Sequence, residues 1–277
     1  RVLGRGPLLL TISFQWVVKS LSIWAVFCCC NICTMLHMCA SLLPSKLSRP
    51  RLGPQIVPRQ RLVDRLDASL DVGLTLLSAP AGFGKTTLVA EWISHLALAQ
   101  GERTLAAASA QRTFAVRGAA LIPPVAPPCL TAWLTVDESD NDALRFWAYV
   151  AGALYAQPAT SLVGELHENL EGLLAALNSP HPPALENVVE SFLTTLTHAR
   201  ATIVLVIDDY HHVHAQAIHE SLYTFCAHLP THVHLLLLTR ADPPLPLYRW
   251  RAHGQLQELR AADLCFSAEE AGSMISR

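Results

Sequence analysis

Charge is scarce in this chain, and neither sign dominates. Of 277 residues only 15% are Asp, Glu, Lys or Arg, and 22 acidic groups against 20 basic ones leave a formal net charge of −2. Soluble proteins average about 25% charged residues, so some stretch must be heavily apolar. A pI near 6.7 and the lack of a basic stripe argue against a surface built to hold DNA. No pattern recurs at a period of about 34 residues, which excludes a helical-repeat array. Past the first 40 residues the cysteines are the scattered Cys129, Cys226 and Cys265. They make no disulfide framework and suit a reducing cytoplasm, the expected location.

The apolar stretch is at the N-terminus. Leu8 to Ala40 holds five of the eight cysteines, and Lys19 and His37 are its only residues able to carry charge. About 20 apolar residues span a bilayer, so it is long enough for a membrane helix. It is too long for a signal-peptide core and shows no clear small-residue cleavage site. The chain starts with Arg1, and Met35 or Met38 would be natural starts. We therefore expect residues 1–43 to be an extension foreign to the folded part, in preference to a membrane anchor. The consecutive Cys28 to Cys30 cannot all reach one tetrahedral ion comfortably, and no partner cluster follows. Residues 44–58 read as a Pro-rich, basic linker, and a folded domain is expected over 59–277.

The residues most informative about chemistry are Gly73 to Leu88. An apolar strand, Leu74 to Leu77, leads into Ser78-Ala-Pro-Ala-Gly-Phe-Gly-Lys-Thr-Thr-Leu88, and an amphipathic helix follows. This is a phosphate-binding loop between strand and helix, one residue short of the strict pattern because Ala79 stands where glycine is usual. Gly82 and Gly84 let the backbone wrap N–H groups around a polyphosphate. Ala81 to Thr87 would enclose the phosphates: Lys85 supplies a cation for the β- and γ-phosphates, Thr86 a hydroxyl for Mg²⁺, and the helix its positive end. The bland alternative, a corner with an exposed lysine, fits the flanking pattern less well.

Two further strands end in suitable groups. Ile203-Val-Leu-Val-Ile207 runs into Asp208 and Asp209. A wholly apolar run of this kind suits a central parallel strand, and ligands of open α/β sheets bind at carboxyl ends. Asp208 is placed to hold Mg²⁺, and Asp209 to orient or deprotonate an attacking water. Val233 to Leu238 is another buried run, ending in Thr239-Arg240. If it lies between the other two strands, Arg240 emerges beside the γ-phosphate, where a guanidinium can sense the nucleotide state. His211, His212 and His214 follow the acids directly, and are read as exposed turn residues in preference to a zinc site.

These motifs, with Ala132-Trp-Leu-Thr-Val-Asp-Glu-Ser-Asp-Asn-Asp142, Val206-Ile-Asp-Asp-Tyr-His211 and Leu238-Thr-Arg-Ala-Asp-Pro-Pro-Leu-Pro246, resemble the nucleotide-binding domain of the large ATP-binding LuxR-type transcriptional regulators. The approach segment, including Val57-Pro-Arg59, is also similar to that family's, and alanine at Ala79 suits it. The resemblance runs from about Ser45 onward. It implies that Lys85, Thr86, Asp208, Asp209 and Arg240 match the family's nucleotide-site positions, and that Val57 and Arg59 lie near the adenine. It further implies ATP and Mg²⁺ as cofactors and self-association of the full-length protein. An inducer and DNA would be bound only by sensor and helix-turn-helix domains that this chain, expected to stop inside the nucleotide-binding module, does not contain.

The expected fold is α/β: a P-loop NTPase with a three-layer α/β/α arrangement around a mostly parallel, five-stranded sheet. Strands are expected near 74–78, 131–136, 202–208, 233–239 and 256–260, with intervening helices near 59–70, 85–100, 141–156, 185–200 and 215–228 and a last one from 267. Residues 101–129, with four prolines, read as a surface insertion. The function expected is an ATP-binding, slowly hydrolysing switch. The alternative is a stand-alone P-loop ATPase or small-molecule kinase, for which Arg249, Arg251 and Arg260 are lid candidates. No Leu-Ser-Gly-Gly-Gln-like signature of an ABC-type ATPase is present.

Overall fold

The computed structural model describes residues 42–53, 56–117, 128–157 and 164–275. The apolar run 8–40 lies outside them, as do its cysteines. Among the described residues no helix is long and apolar enough to cross a membrane.

Five strands form one sheet in the order β2-β3-β4-β1-β5: β1 is Leu74–Ser78, β2 Cys129–Thr135, β3 Thr202–Asp208, β4 Val233–Thr239 and β5 Leu256–Arg260. Every pairing is parallel. The order follows from composition. Strands β3, β4 and β1 are apolar on both faces and almost wholly buried, as central parallel strands must be. Strand β5, with Gln257, Glu258 and Arg260, is half-buried and takes one edge, where polar side chains blunt an otherwise open row of backbone groups.

Successive side chains alternate across the sheet. One face carries Trp133, Val204, Val206, Leu236 and Leu238, packed with Leu62, Val63 and Leu66 of α1 (Gln60–Ala68) and Leu88, Val89, Trp92 and Ile93 of α2 (Lys85–Arg117). The remaining long helices are α3 (Ala143–Tyr155), α4 (Gly164–Leu177), α5 (Leu185–Thr197) and α6 (Gln216–Ala227). An aromatic cluster binds three of them together: Trp147 of α3 meets Phe192 of α5 at 5.6 Å and Phe225 of α6 at 5.1 Å, edge to face. Its indole N–H is satisfied by Ser221 Oγ at 3.0 Å. The architecture is a three-layer α/β/α P-loop fold.

Helix α2 continues past Gln100 to Arg117, beyond the end expected near 100 and into the stretch read as a surface insertion. The prolines of that stretch all fall at 123–128, after the helix, and the alanine-rich run at 105–110 favours helix. Helix α4 was not anticipated. Its signal was there in Leu166, Leu170, Leu173, Leu174 and Leu177, which recur at helical spacing and are buried. Three short helices follow among the described residues: α7 (Leu247–Ala252), α8 (Ala261–Leu264) and α9 (Ala268–Ile275).

Candidate nucleotide-binding site

Strand β1 delivers the chain to the carboxyl edge of the sheet, and Ala79 N–H prolongs its pairing with β4 by donating to Thr239 O at 3.2 Å. The loop then turns through Gly82 at φ +85° and Gly84 at φ +72°, in the left-handed region that glycine enters without a steric penalty. Apart from Gly82 itself and its chain neighbours, no atom of the described residues lies within 4 Å of a Cβ built there, so backbone conformation is what demands glycine. Ala79 is buried and not in that region, which is why alanine serves where the strict pattern has glycine.

Lys85 opens α2 and folds back under the loop. Its Nζ donates to Ala79 O at 2.6 Å and Pro80 O at 3.0 Å, and only 8% of the residue is exposed. Burial lowers its pKa, while the nearby carboxylates of Asp208 and Asp209 act the other way. Thr86 Oγ1 lies 3.2 and 3.0 Å from the two carboxylate oxygens of Asp208, to which it donates. Asp208 ends β3 and is buried. That burial, reinforced by Asp209, pushes its carboxyl up to about 6 against the hydrogen bond from Thr86.

Asp209 has φ 57°, and it is the one non-glycine among the described residues with positive φ. Asp is among the few residue types that enter this region, and such conformations concentrate at functional sites. Its N–H donates to Asp208 Oδ1 at 2.9 Å, and the chain turns sharply into the short 3₁₀ turn Tyr210–His212. Strand β4 does lie between β1 and β3, with Thr239 in register with Ser78. The exposed Arg240 therefore follows at the same edge. Its positive charge adds to burial in lowering the pKa of both Lys85 and His211.

A cleft of about 400 Å³ opens beside the loop, walled by Arg59, Ala81 to Gly84, and Leu264, Cys265 and Phe266. Arg59 is buried and donates to Phe83 O at 3.4 Å and to Leu264 O. Its guanidinium lies 4.8 Å over the ring of Phe266, which is 49% exposed. The half-buried Val57 precedes it by two residues and is not among the lining residues. Sequence reasoning missed Leu264 to Phe266, since nothing local marks a residue brought in from 200 positions away. The arginines of α1 were the available signal: Arg61 pairs with Glu270 at 3.0 Å and Arg65 with Asp263 at 2.7 Å, and these contacts hold the far wall in place.

The three lid candidates are committed elsewhere. Arg251 pairs with Glu258 at 3.0 Å, Arg260 with Asp242 and Glu258, and Arg249 donates to Tyr223 Oη at 2.9 Å. Asp242 in turn accepts from Ser78 Oγ at 3.1 Å. Arg251 and Arg260 brace the edge strand, Arg249 is held by Tyr223, and the three offer no loose set of cations to close over phosphates.

No family model matches the chain. Over 231 residues, 83% of its length, it is 33% identical to the HTH-type transcriptional regulator MalT of Serratia proteamaculans (strain 568) and 32% identical to that of Yersinia pestis (strain Pestoides F). The sequence comparison thus bears out the resemblance to the large ATP-binding LuxR-type regulators. The regulator-like match takes in 21% of the length of either MalT protein, so the chain spans about a fifth of these relatives. Among solved structures, the ORC1 protein of Aeropyrum pernix in complex with DNA aligns with a TM-score of 0.42 and 15% identity, over 80% of this chain and 50% of that one. That likeness is too slight to bear on the site.

Proposed function

We propose that this MalT-like segment binds ATP with Mg²⁺ and hydrolyses it slowly, as the switch domain of a transcription regulator. The observation that carries the reading is the junction of Thr86 with Asp208 at 3.0 Å, directly beside Lys85. A hydroxyl on the loop helix and a buried carboxylate on a neighbouring strand are a fitting pair of oxygen ligands for Mg²⁺. Among the described residues no cluster of three or more His, Cys, Asp or Glu could hold a metal alone, so phosphate oxygens and water would complete the coordination. Bound Mg²⁺ would neutralise charge on the β- and γ-phosphates.

In this reading the N–H groups of Ala81 to Thr87 cradle the phosphates and Lys85 exchanges its two carbonyl partners for phosphate oxygens. Asp209 orients the attacking water, and Arg240 senses whether the γ-phosphate is present. Arg59 and Phe266 offer a planar, partly apolar cleft for the adenine, with Val57 nearby. Self-association, an inducer and specific DNA binding belong to the longer protein of which this would be one part.

The adenine placement is tested by thiol labelling. Cys265 is exposed and lines the cleft, so ATP should shield it. At ten times Kd, alkylation of Cys265 in the full chain, read by peptide mass spectrometry, should slow about tenfold, in proportion to the free fraction. Unchanged labelling at ATP concentrations that calorimetry shows to be saturating would remove the base from this cleft.

Duplex DNA makes the complementary test. Phosphate neutralisation supplies nearly all non-specific DNA affinity and makes it salt-dependent. With a net charge of −2, the full chain should bind a random duplex more weakly than about 1 μM at physiological salt. Fluorescence anisotropy at two salt concentrations checks this; tighter binding that collapses with salt would place a DNA-contacting surface within these residues.

A further inference from the structure

The segment Val136 to Asp142 takes no part in the reading above, yet it reaches the acidic end of β3. Thr135, the last residue of β2, is in register with Asp208, and Val136 N–H donates to Asp208 O at 3.0 Å. The chain then makes the 3₁₀ turn Glu138–Asp140, which is fastened from both ends. Asp137 accepts from Ser139 N–H at 2.9 Å, and Asp140 accepts from Asp137 N–H at 2.9 Å. Lys46 Nζ sits between their carboxylates, 2.7 Å from Asp137 and 2.6 Å from Asp140. Asp142 in turn caps α3, accepting from Arg145 N–H at 2.8 Å. Asn141 lies between the two caps, so its side chain projects from a fixed base.

That side chain grips residues 71 to 74 positions further on. Its Nδ2 donates to His212 O at 2.9 Å and to Glu138 O at 3.0 Å. Its Oδ1 accepts from His214 N–H at 2.6 Å and from Ala215 N–H at 3.0 Å. An asparagine amide has two N–H groups and two acceptor lone pairs, so its whole bonding capacity is used. Three of the four bonds fall on the turn that begins at Asp209. Within that turn His212 N–H donates to Asp209 O at 3.1 Å, which puts the gripped residue one bond away from the acid. Asp209 needs such support. It is held at φ 57°, and a non-glycine residue stays in that region only where its surroundings over-determine it.

We propose that Asn141 is a positioning residue for hydrolysis: it pins the turn from the β2 side, keeping Asp209 in its left-handed conformation with the carboxylate toward the attacking water. The proposal rests on the reading of Asp209 as the water-orienting acid. It adds β2 to a site whose other groups come from β1, β3 and β4. Asn141 acts on the turn and not on the nucleotide, so it governs the rate of hydrolysis and leaves the affinity for ATP alone. A displacement of about 1 Å in a catalytic group is worth on the order of 100-fold in rate, which sets the scale of the effect.

The test uses the full chain, ATP with Mg²⁺, and four variants: Asn141→Ala, Asn141→Asp, Asp209→Asn, and Asn141→Ala combined with Asp209→Asn. Calorimetry reads affinity, thermal melting reads folding, and steady-state turnover separates kcat from KM. Asn141→Ala should lower kcat by roughly 10- to 100-fold while the affinity for ATP stays within about twofold of the parent. Asn141→Asp keeps an oxygen for the His214 and Ala215 N–H groups but has no donor for His212 O. Its kcat should fall between those of the parent and Asn141→Ala. The double variant should be no slower than Asp209→Asn alone, since Asn141 acts through that carboxylate. Parent-like kcat in Asn141→Ala, or losses that simply multiply in the double variant, would overturn the positioning role while leaving Asp209 in place. So would a loss of ATP affinity as large as the loss of turnover, or unfolding of both Asn141 variants below the assay temperature, because Asn141 would then be a general brace. Turnover insensitive to Asp209→Asn would instead overturn the hydrolytic reading, and this proposal with it.

Discussion

Lys85→Ala should lower the affinity of the full chain for ATP by at least about 100-fold. Each hydrogen bond to a charged group contributes about 1.5–3 kcal/mol, and 1.4 kcal/mol is a factor of ten, so two lysine–phosphate contacts account for that loss or more. Lys85 is the cation best placed to supply them, because it opens the loop helix and is folded under the loop, with its Nζ on Ala79 O and Pro80 O. Burial depresses its pKa while the molecule is free of ligand, so a polyphosphate would relieve an ammonium that burial disfavours. Gly82 and Gly84 would retain their positive φ in the variant, leaving the cradle shaped but without its charge. Lys85→Met separates charge from packing, since it preserves most of the buried stem; it should melt near the parent and bind no better than Lys85→Ala. Titration calorimetry with ATP and Mg²⁺ is the measurement, and unchanged affinity in either variant would remove this loop from the mechanism.

The phosphate loop and the acidic strand end were legible in the sequence because the chemistry there is local. A loop that must turn backbone N–H groups toward a ligand needs glycine at particular places, and Gly82 and Gly84 carry that requirement in the chain itself. Five apolar residues before Asp208 likewise announce a central strand. The position of Arg240 depended on strand order, which no local pattern encodes; it came from β4 inserting between β1 and β3. The far wall of the cleft was invisible for a stronger reason. Leu264 to Phe266 look like an ordinary helix-to-loop transition, and they are held at Arg59 by its own bond to Leu264 O and by Arg61 and Arg65, which grip Glu270 and Asp263 across some 200 residues. Helix α2 beyond Gln100 was misread for the opposite reason, as prolines downstream were allowed to outweigh the alanines before them. The histidines after Asp209 were read as exposed turn residues, yet Asn141 draws the turn inward and leaves His211 mostly buried.

Asp209→Asn should leave ATP bound with near-parent affinity and slow hydrolysis by about 100-fold or more, within the range that positioned general bases contribute. Asparagine is suited to isolate that effect. It tolerates the left-handed conformation that Asp209 adopts at φ 57°, so the turn into Tyr210–His212 survives while the negative charge is lost. Asp208→Asn should behave differently, weakening Mg²⁺-dependent binding as well as turnover. Asp208 uses both carboxylate oxygens, accepting Thr86 Oγ1 on each and the Asp209 N–H on one. An amide there has a single acceptor and no charge for a metal ion. The expectation rests on the order of the two acids: the first is buried at the strand end against the loop helix, and the second is 38% exposed in its side chain. Calorimetry with Mg²⁺ and with chelator separates the binding effects, and single-turnover hydrolysis at saturating ATP measures the rest. If Asp208→Asn binds Mg²⁺–ATP as the parent does, the metal is held elsewhere. If both variants hydrolyse at the parent rate, the acidic pair serves only to end the strand and shape the turn.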